Sequence, residues 1–139
     1  MLFVTRKFHF SASHRLFKPG LSNEENERIY GKCSNPSGHG HNYTLEVTVA
    51  GEKDPEIGNV IDLKKLKDLV ETDLIEIVDH KNLNVDVGFM ADVIPTTENM
   101  VLHFWDQIEN KINNKRRKLY SMKLSETENN LVEYRGKNK

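Results

Sequence analysis

Residues 39–50 read HGHNYTLEVTVA, and their alternation decides the fold. His39, His41, Tyr43, Leu45, Val47 and Val49 fall on one side of an extended chain, and Thr44, Glu46 and Thr48 on the other. A period of two marks a half-buried strand, here predicted over 39–50, so the two histidines continue an apolar stripe. Gly40 between them keeps the opposite face unobstructed. A second strand is predicted from Phe3 to His14, with Phe8, Phe10, Ala12 and His14 on one parity and Lys7, His9, Ser11 and Ser13 on the other. Its inward face also ends in a histidine.

The stretch from Lys18 to Ser37 carries two prolines, two glycines and the charged run NEENER, which predicts a long connection with room for a helical turn. Connections of this length inside a compact domain are often functional. GEKDPEIGN reads as a polar turn. Asp62 then caps a predicted helix bearing Leu63, Leu66, Val70, Leu74 and Ile77, which should stop near Asp79. HKNLNVDVGFMADVIP is a second connection, after which Thr96 or Thr97 caps a helix with the stripe Val101, Phe104, Trp105, Ile108 and Ile112. The basic run KRRK at 115–118 follows, where cations complement the helix dipole; phosphate binding is the other reading. LYSMKLSE and NLVEYR, joined through TENN, form a predicted hairpin in which Tyr120, Met122, Leu124 and Glu126 share a face. The order ββααββ predicts one α+β domain over 1–139, an antiparallel sheet with both helices on one face.

Composition sets outer limits. The 139 residues suit one core. Twenty Lys and Arg against 21 Asp and Glu give a formal charge of -1, no basic excess for a nucleic-acid backbone. A single cysteine makes no internal disulfide, and MLFVTRKFHF has no long apolar run of a signal peptide or membrane span. A soluble, cytoplasmic protein that engages neither nucleic acid nor membrane is expected.

Several residues are placed for chemistry. Two residues apart in a strand, His39 and His41 point the same way about 6.6 Å apart, near enough to meet one metal ion. His14, at the end of the other strand, is the candidate third ligand, and three histidines with an open position form one of the sets used by catalytic zinc. Burying each imidazole unpaired would cost roughly 1–3 kcal/mol, which metal ligation removes. Cys33 lies in a polar, loop-like segment and reads as a further zinc ligand, a nucleophile or base, or an inert thiol. Asp79 and His80 follow the first helix; the pair is a candidate proton relay, or Asp79 caps the KNLN turn. Glu126 continues an apolar face, where it would accept two hydrogen bonds from a guanidine-like ring edge, unless the strand has already ended at Leu124.

FSASHRL, GKCSNPSGHGHNYTLEVTV, DHKNL, PTTEN and SETENN, in that order and spacing, resemble the 6-pyruvoyl-tetrahydropterin synthase family over almost the whole chain. The resemblance implies the T-fold, a four-stranded antiparallel sheet with two helices between the second and third strands. It also implies trimers that close a barrel, and a homohexamer made as a dimer of trimers with active sites at subunit interfaces. It implies one zinc ion per subunit on His14, His39 and His41, a catalytic Cys33, a partner pair Asp79 and His80, and a pterin-anchoring Glu126. Thr96, Thr97 and Glu98 match pocket residues that the family takes from a neighbouring subunit. The implied reaction converts 7,8-dihydroneopterin triphosphate to 6-pyruvoyl-tetrahydropterin with loss of triphosphate, a carbon-oxygen lyase step in tetrahydrobiopterin biosynthesis, with magnesium accompanying the triphosphate. A 6-carboxytetrahydropterin synthase of the queuosine pathway and a noncatalytic zinc-stabilised pterin-binding module are the alternatives.

Overall fold

A computed structural model describes residues 1–137. Strands β1 (Leu2–His14) and β2 (His39–Gly51) pair antiparallel, with Phe8 opposite Leu45, Phe10 opposite Tyr43, Ala12 opposite His41 and His14 opposite His39. The two alternating stripes therefore merge into one buried face, and the rings of Phe10 and Tyr43 stack with centroids 4.8 Å apart. The other parity stays polar, with Ser11 bonded to Asn42 and Thr5 to Thr48 across the strands.

Between the strands lies helix α1 (Asn23–Tyr30), longer than the single turn expected there. Ser22 caps it in a reciprocal box with Glu25. Asn26, buried within it, accepts from the Lys18 amide and donates to carbonyls of the preceding loop. A 3₁₀ turn, Gly31–Ser34, follows and carries Cys33.

Helix α2 (Leu63–Val70) starts at Asp62, whose carboxylate accepts from the Lys64 and Lys65 amides. A π turn, Glu71–Ile75, leads into α3 (Glu76–Val78). This wider turn corrects the predicted stripe. It holds one extra residue, so the phase slips forward and Val78 is buried where an unbroken helix would bury Ile77. Ile77 is 38% exposed, and Leu63 is exposed as well.

A two-residue strand, β3 (Lys81–Asn82), then pairs parallel with Ala12 and Ser13. The sheet thus has five strands in the order β3-β1-β2-β4-β5, not four, and is antiparallel except at that edge. Helix α4 (Thr97–Ile112) begins at Thr96, whose hydroxyl accepts from the Asn99 amide, and buries Val101, Phe104, Trp105, Ile108 and Ile112 as expected. It packs on β4 (Arg117–Ser125) and β5 (Leu131–Tyr134), and touches α2 and the π turn, which lie over β1.

The basic run serves the helix end. Arg117 donates to the Ile112 carbonyl and Arg116 pairs with Asp54. A second correction falls in β4. The ladder slips between Thr48 and Val49, which face Ser121 and Leu119, so Tyr120 is the extra residue of a bulge. Leu119 is buried instead, and Tyr120 meets Phe3 edge-on. Among the described residues no helix is long and apolar enough to cross a membrane.

The π turn makes a stability prediction. Leu74→Ala should cost about 2–5 kcal/mol, and Ile77→Ala under about 1 kcal/mol, read from urea midpoints. Equal losses would restore the unbroken helical phase.

Candidate active site

The β1–β2 register brings His14, His39 and His41 together at one end of the sheet. Their ring centroids lie 4.9 to 5.2 Å apart, and one ring nitrogen from each falls within 4.8 Å of the others. His14 is 1% exposed. Its Nδ1 sits 2.8 Å from the Pro95 carbonyl, which can only accept, so Nδ1 carries the proton and Nε2 presents its lone pair. Nε2 of His14 and Nε2 of His41 are both buried without a hydrogen-bond partner. Two orphaned imidazole nitrogens beside a third imidazole fit a metal ion, whose binding satisfies them.

The electrostatics suit that role. Burial holds the imidazoles of His14 and His41 below the ordinary value of 6.5, against the Pro95 carbonyl for His14 and against Glu126 for His41. Both rings are thus kept in the neutral form that ligation needs.

Glu126 lies at the same place. Its Oε1 is 3.3 Å from His41 Nε2 but off the direction of a hydrogen bond, and its Oε2 accepts from the Thr97 hydroxyl at 2.8 Å. That contact is made within one chain. Thr96 is occupied as the cap of α4, and Glu98 is exposed in its first turn. Tyr43 closes the floor, fully buried, its hydroxyl 3.5 Å from His14 Nδ1. Burial, Glu126 and Cys33 together push its phenol well above the ordinary value.

Cys33 is half-buried. Its carbonyl accepts from the Leu16 amide at 2.8 Å, which fastens the 3₁₀ turn beside the end of β1. Asp79 and His80 are elsewhere. The Asp79 carboxylate accepts from the Ser11 amide at 2.9 Å, and that bond, followed by His80, holds its carboxyl below the usual range. It therefore anchors the helix end to the edge of β1 instead of capping the KNLN turn. His80 adopts φ 61 and is 82% exposed in its side chain, with Nδ1 3.0 Å from Asp79. The pair lines a hollow of about 320 Å³ with His9, Ser11, Asn42 and Thr44, residues of the polar face. Neither His14, His39 and His41 nor Cys33 lines that hollow.

The Pro95 carbonyl and the Tyr43 hydroxyl were not foreseen as parts of the site. A main-chain acceptor has no side-chain signature, and Tyr43 reads as one more apolar position of its stripe.

Fold and site together define a T-fold protein with a cluster of three histidines able to hold a metal ion and a carboxylate facing it. A family profile described as 6-pyruvoyl tetrahydropterin synthase matches residues 3–137. The "6-pyruvoyl tetrahydrobiopterin synthase" of Pongo abelii is 50% identical over 133 residues, 96% of this chain and 90% of its own. The solved Caenorhabditis elegans 6-pyruvoyl tetrahydropterin synthase superposes with a TM-score of 0.89 at 38% identity, covering 97% of this chain and 95% of that one. A 6-carboxy-5,6,7,8-tetrahydropterin synthase of Rickettsia bellii is 30% identical over 96% of this chain and 99% of its own. The chain belongs to the 6-pyruvoyl tetrahydropterin synthase family.

The lowered histidines fix a pH dependence for the metal-free protein. The unfolded chain takes up protons below about 6.5 that folded His14 and His41 refuse, so stability falls on acidification through that value and is regained above it. Urea midpoints between about pH 5 and about pH 7.5 should rise with pH. Replacing His14 and His41 by Asn should flatten the curve; stability that rises on acidification would contradict the assignment.

Proposed function

We propose that the chain converts 7,8-dihydroneopterin triphosphate to 6-pyruvoyl-tetrahydropterin, as a zinc-dependent carbon-oxygen lyase that eliminates triphosphate. The observation that carries this reading is the juxtaposition of three imidazoles within 4.8 Å with a carboxylate 3.3 Å from one of them. His14 through Nε2, together with His39 and His41, would hold zinc. When bound, zinc supplies Lewis-acid chemistry that acidifies the C–H bonds beside the side-chain oxygens of the substrate.

The chain's own residues do the rest. Glu126, its Oε2 fixed by Thr97, offers Oε1 to the adjacent N–H groups of the pterin edge. Thr96, Thr97 and Glu98 form the wall at the start of α4. Cys33, as thiolate, removes the acidified proton. His80, oriented by Asp79, carries protons onward. The redox change is internal, so no external reductant is consumed.

One feature argues for an assembly. Asp79 and His80 line a hollow on the polar face of the sheet, and Cys33 is not among the residues that line it. A second copy would have to present its own pair to this thiol. That requirement supports a homohexamer of two stacked trimers, each trimer closing a barrel of these single domains, with active sites at the interfaces. Closure would also pair the edges of an open sheet. Magnesium accompanying the triphosphate and a cytoplasmic location complete the proposal.

The 6-carboxytetrahydropterin synthase reading separates from this one by product. Purified zinc-loaded protein given dihydroneopterin triphosphate should release triphosphate and a pyruvoyl pterin by mass. Acetaldehyde with a carboxylated pterin would overturn the proposal, and tight pterin binding without turnover would establish the noncatalytic module.

A further inference from the structure

Arg15 follows the buried ligand His14 directly, and the proposed reaction gives it no part. Asn84 grips its main chain on both sides, accepting from the Arg15 amide at 2.7 Å and donating to its carbonyl at 2.9 Å. With the backbone held, the guanidinium reaches back over the long connection. Nε donates to the Ser34 carbonyl at 2.8 Å, Nη2 donates to Asn23 Oδ1 at 3.2 Å, and the guanidinium carbon lies 4.1 Å from the centre of the Phe17 ring.

These contacts converge on the turn that carries Cys33. The Cys33 carbonyl accepts from the Leu16 amide and the Ser34 carbonyl from Arg15, so two successive carbonyls of the turn are tied to the two residues after His14. Ser34 is buried and closes the turn on the Gly31 carbonyl. Asn23 ties the start of α1 to the same guanidinium, and Asn84 belongs to the segment that follows Asp79 and His80. Arg15 thus joins three parts of the chain: its side chain ties the turn of the thiol and the start of α1, and its main chain is held by the connection after the relay pair.

We propose that Arg15 is a positioning residue for Cys33, holding the thiol at a fixed offset from the three-histidine centre. The role requires a planar fork. Lysine carries all its donors on one nitrogen, so it cannot reproduce the fixed spacing by which Nε meets the Ser34 carbonyl and Nη2 meets Asn23. It acts through geometry, since a misplacement of about 1 Å between a base and the atom it attacks costs up to about 100-fold in rate. The inference rests on the proposed function for its kinetic consequence, but not for the placement of the thiol.

The test uses full-length, zinc-loaded Arg15→Lys and Arg15→Gln beside the unaltered protein. Zinc content, kcat and KM for dihydroneopterin triphosphate, and the pH profile of Cys33 alkylation by iodoacetamide are measured together. Cys33 is the sole cysteine, so alkylation reports this thiol alone. Zinc content and KM should be unchanged, kcat should fall about 10- to 100-fold, and the alkylation profile should be displaced in both variants.

An unaltered profile with unaltered kcat would overturn the inference. So would zinc lost in proportion to activity, or a raised KM at unaltered kcat, which would make Arg15 a substrate contact. If Arg15→Gln does not fold, Arg15→Lys decides alone. Alkylation is read without turnover, so a displaced profile in a protein that makes another product keeps the inference and removes only the proposed function.

Discussion

The pairing of β1 with β2 is the constraint on which the site depends. Placing His14 opposite His39 and Ala12 opposite His41 puts three imidazoles on one face. A slip of one residue would send the histidines of one strand to the polar side together with its whole apolar stripe. The core therefore opposes such a slip, because it would part Phe8 and Phe10 from Tyr43, Leu45, Val47 and Val49, which are buried together. Hydrophobic burial assembles the histidine cluster, and the cluster adds a local cost through ring nitrogens that lack partners.

That cost explains the rest of the local structure. The Pro95 carbonyl fixes the tautomer of His14, the connection after β3 brings that carbonyl in, and the start of α4 delivers Thr97 to Glu126 two residues later. A helix cap, a ring orienter and a carboxylate clamp are thus consecutive in the chain, at Thr96, Pro95 and Thr97. On the other face, His80 is held at positive φ by Asp79 and Ser11, a backbone conformation that non-glycine residues adopt infrequently. Keeping it there while the side chain stays exposed suits a group presented to something outside its own chain.

The parts legible in the sequence were those with a period. Both long strands, α4 and the three histidines follow from alternation or helical spacing. What escaped has no period to read. The π turn is a slip of main-chain bonds that costs the pattern one residue, and so helical spacing points to Ile77 where the fold buries Val78. The bulge at Tyr120 does the same to a strand. Two residues of β3 are too few to alternate, and the length of α1 was hidden by its polar composition, Asn26 being its one buried residue. Glu126 was legible as a carboxylate out of place, whereas its partner Thr97 was legible only through the family resemblance.

The central claim is that the histidines alone hold the metal and that Cys33 stands beside it. X-ray absorption at the zinc edge of the reconstituted protein measures this directly. Three imidazole nitrogens at about 2.0–2.1 Å and no sulfur are expected, whereas a sulfur scatterer at about 2.3 Å would place Cys33 on the metal and contradict the account.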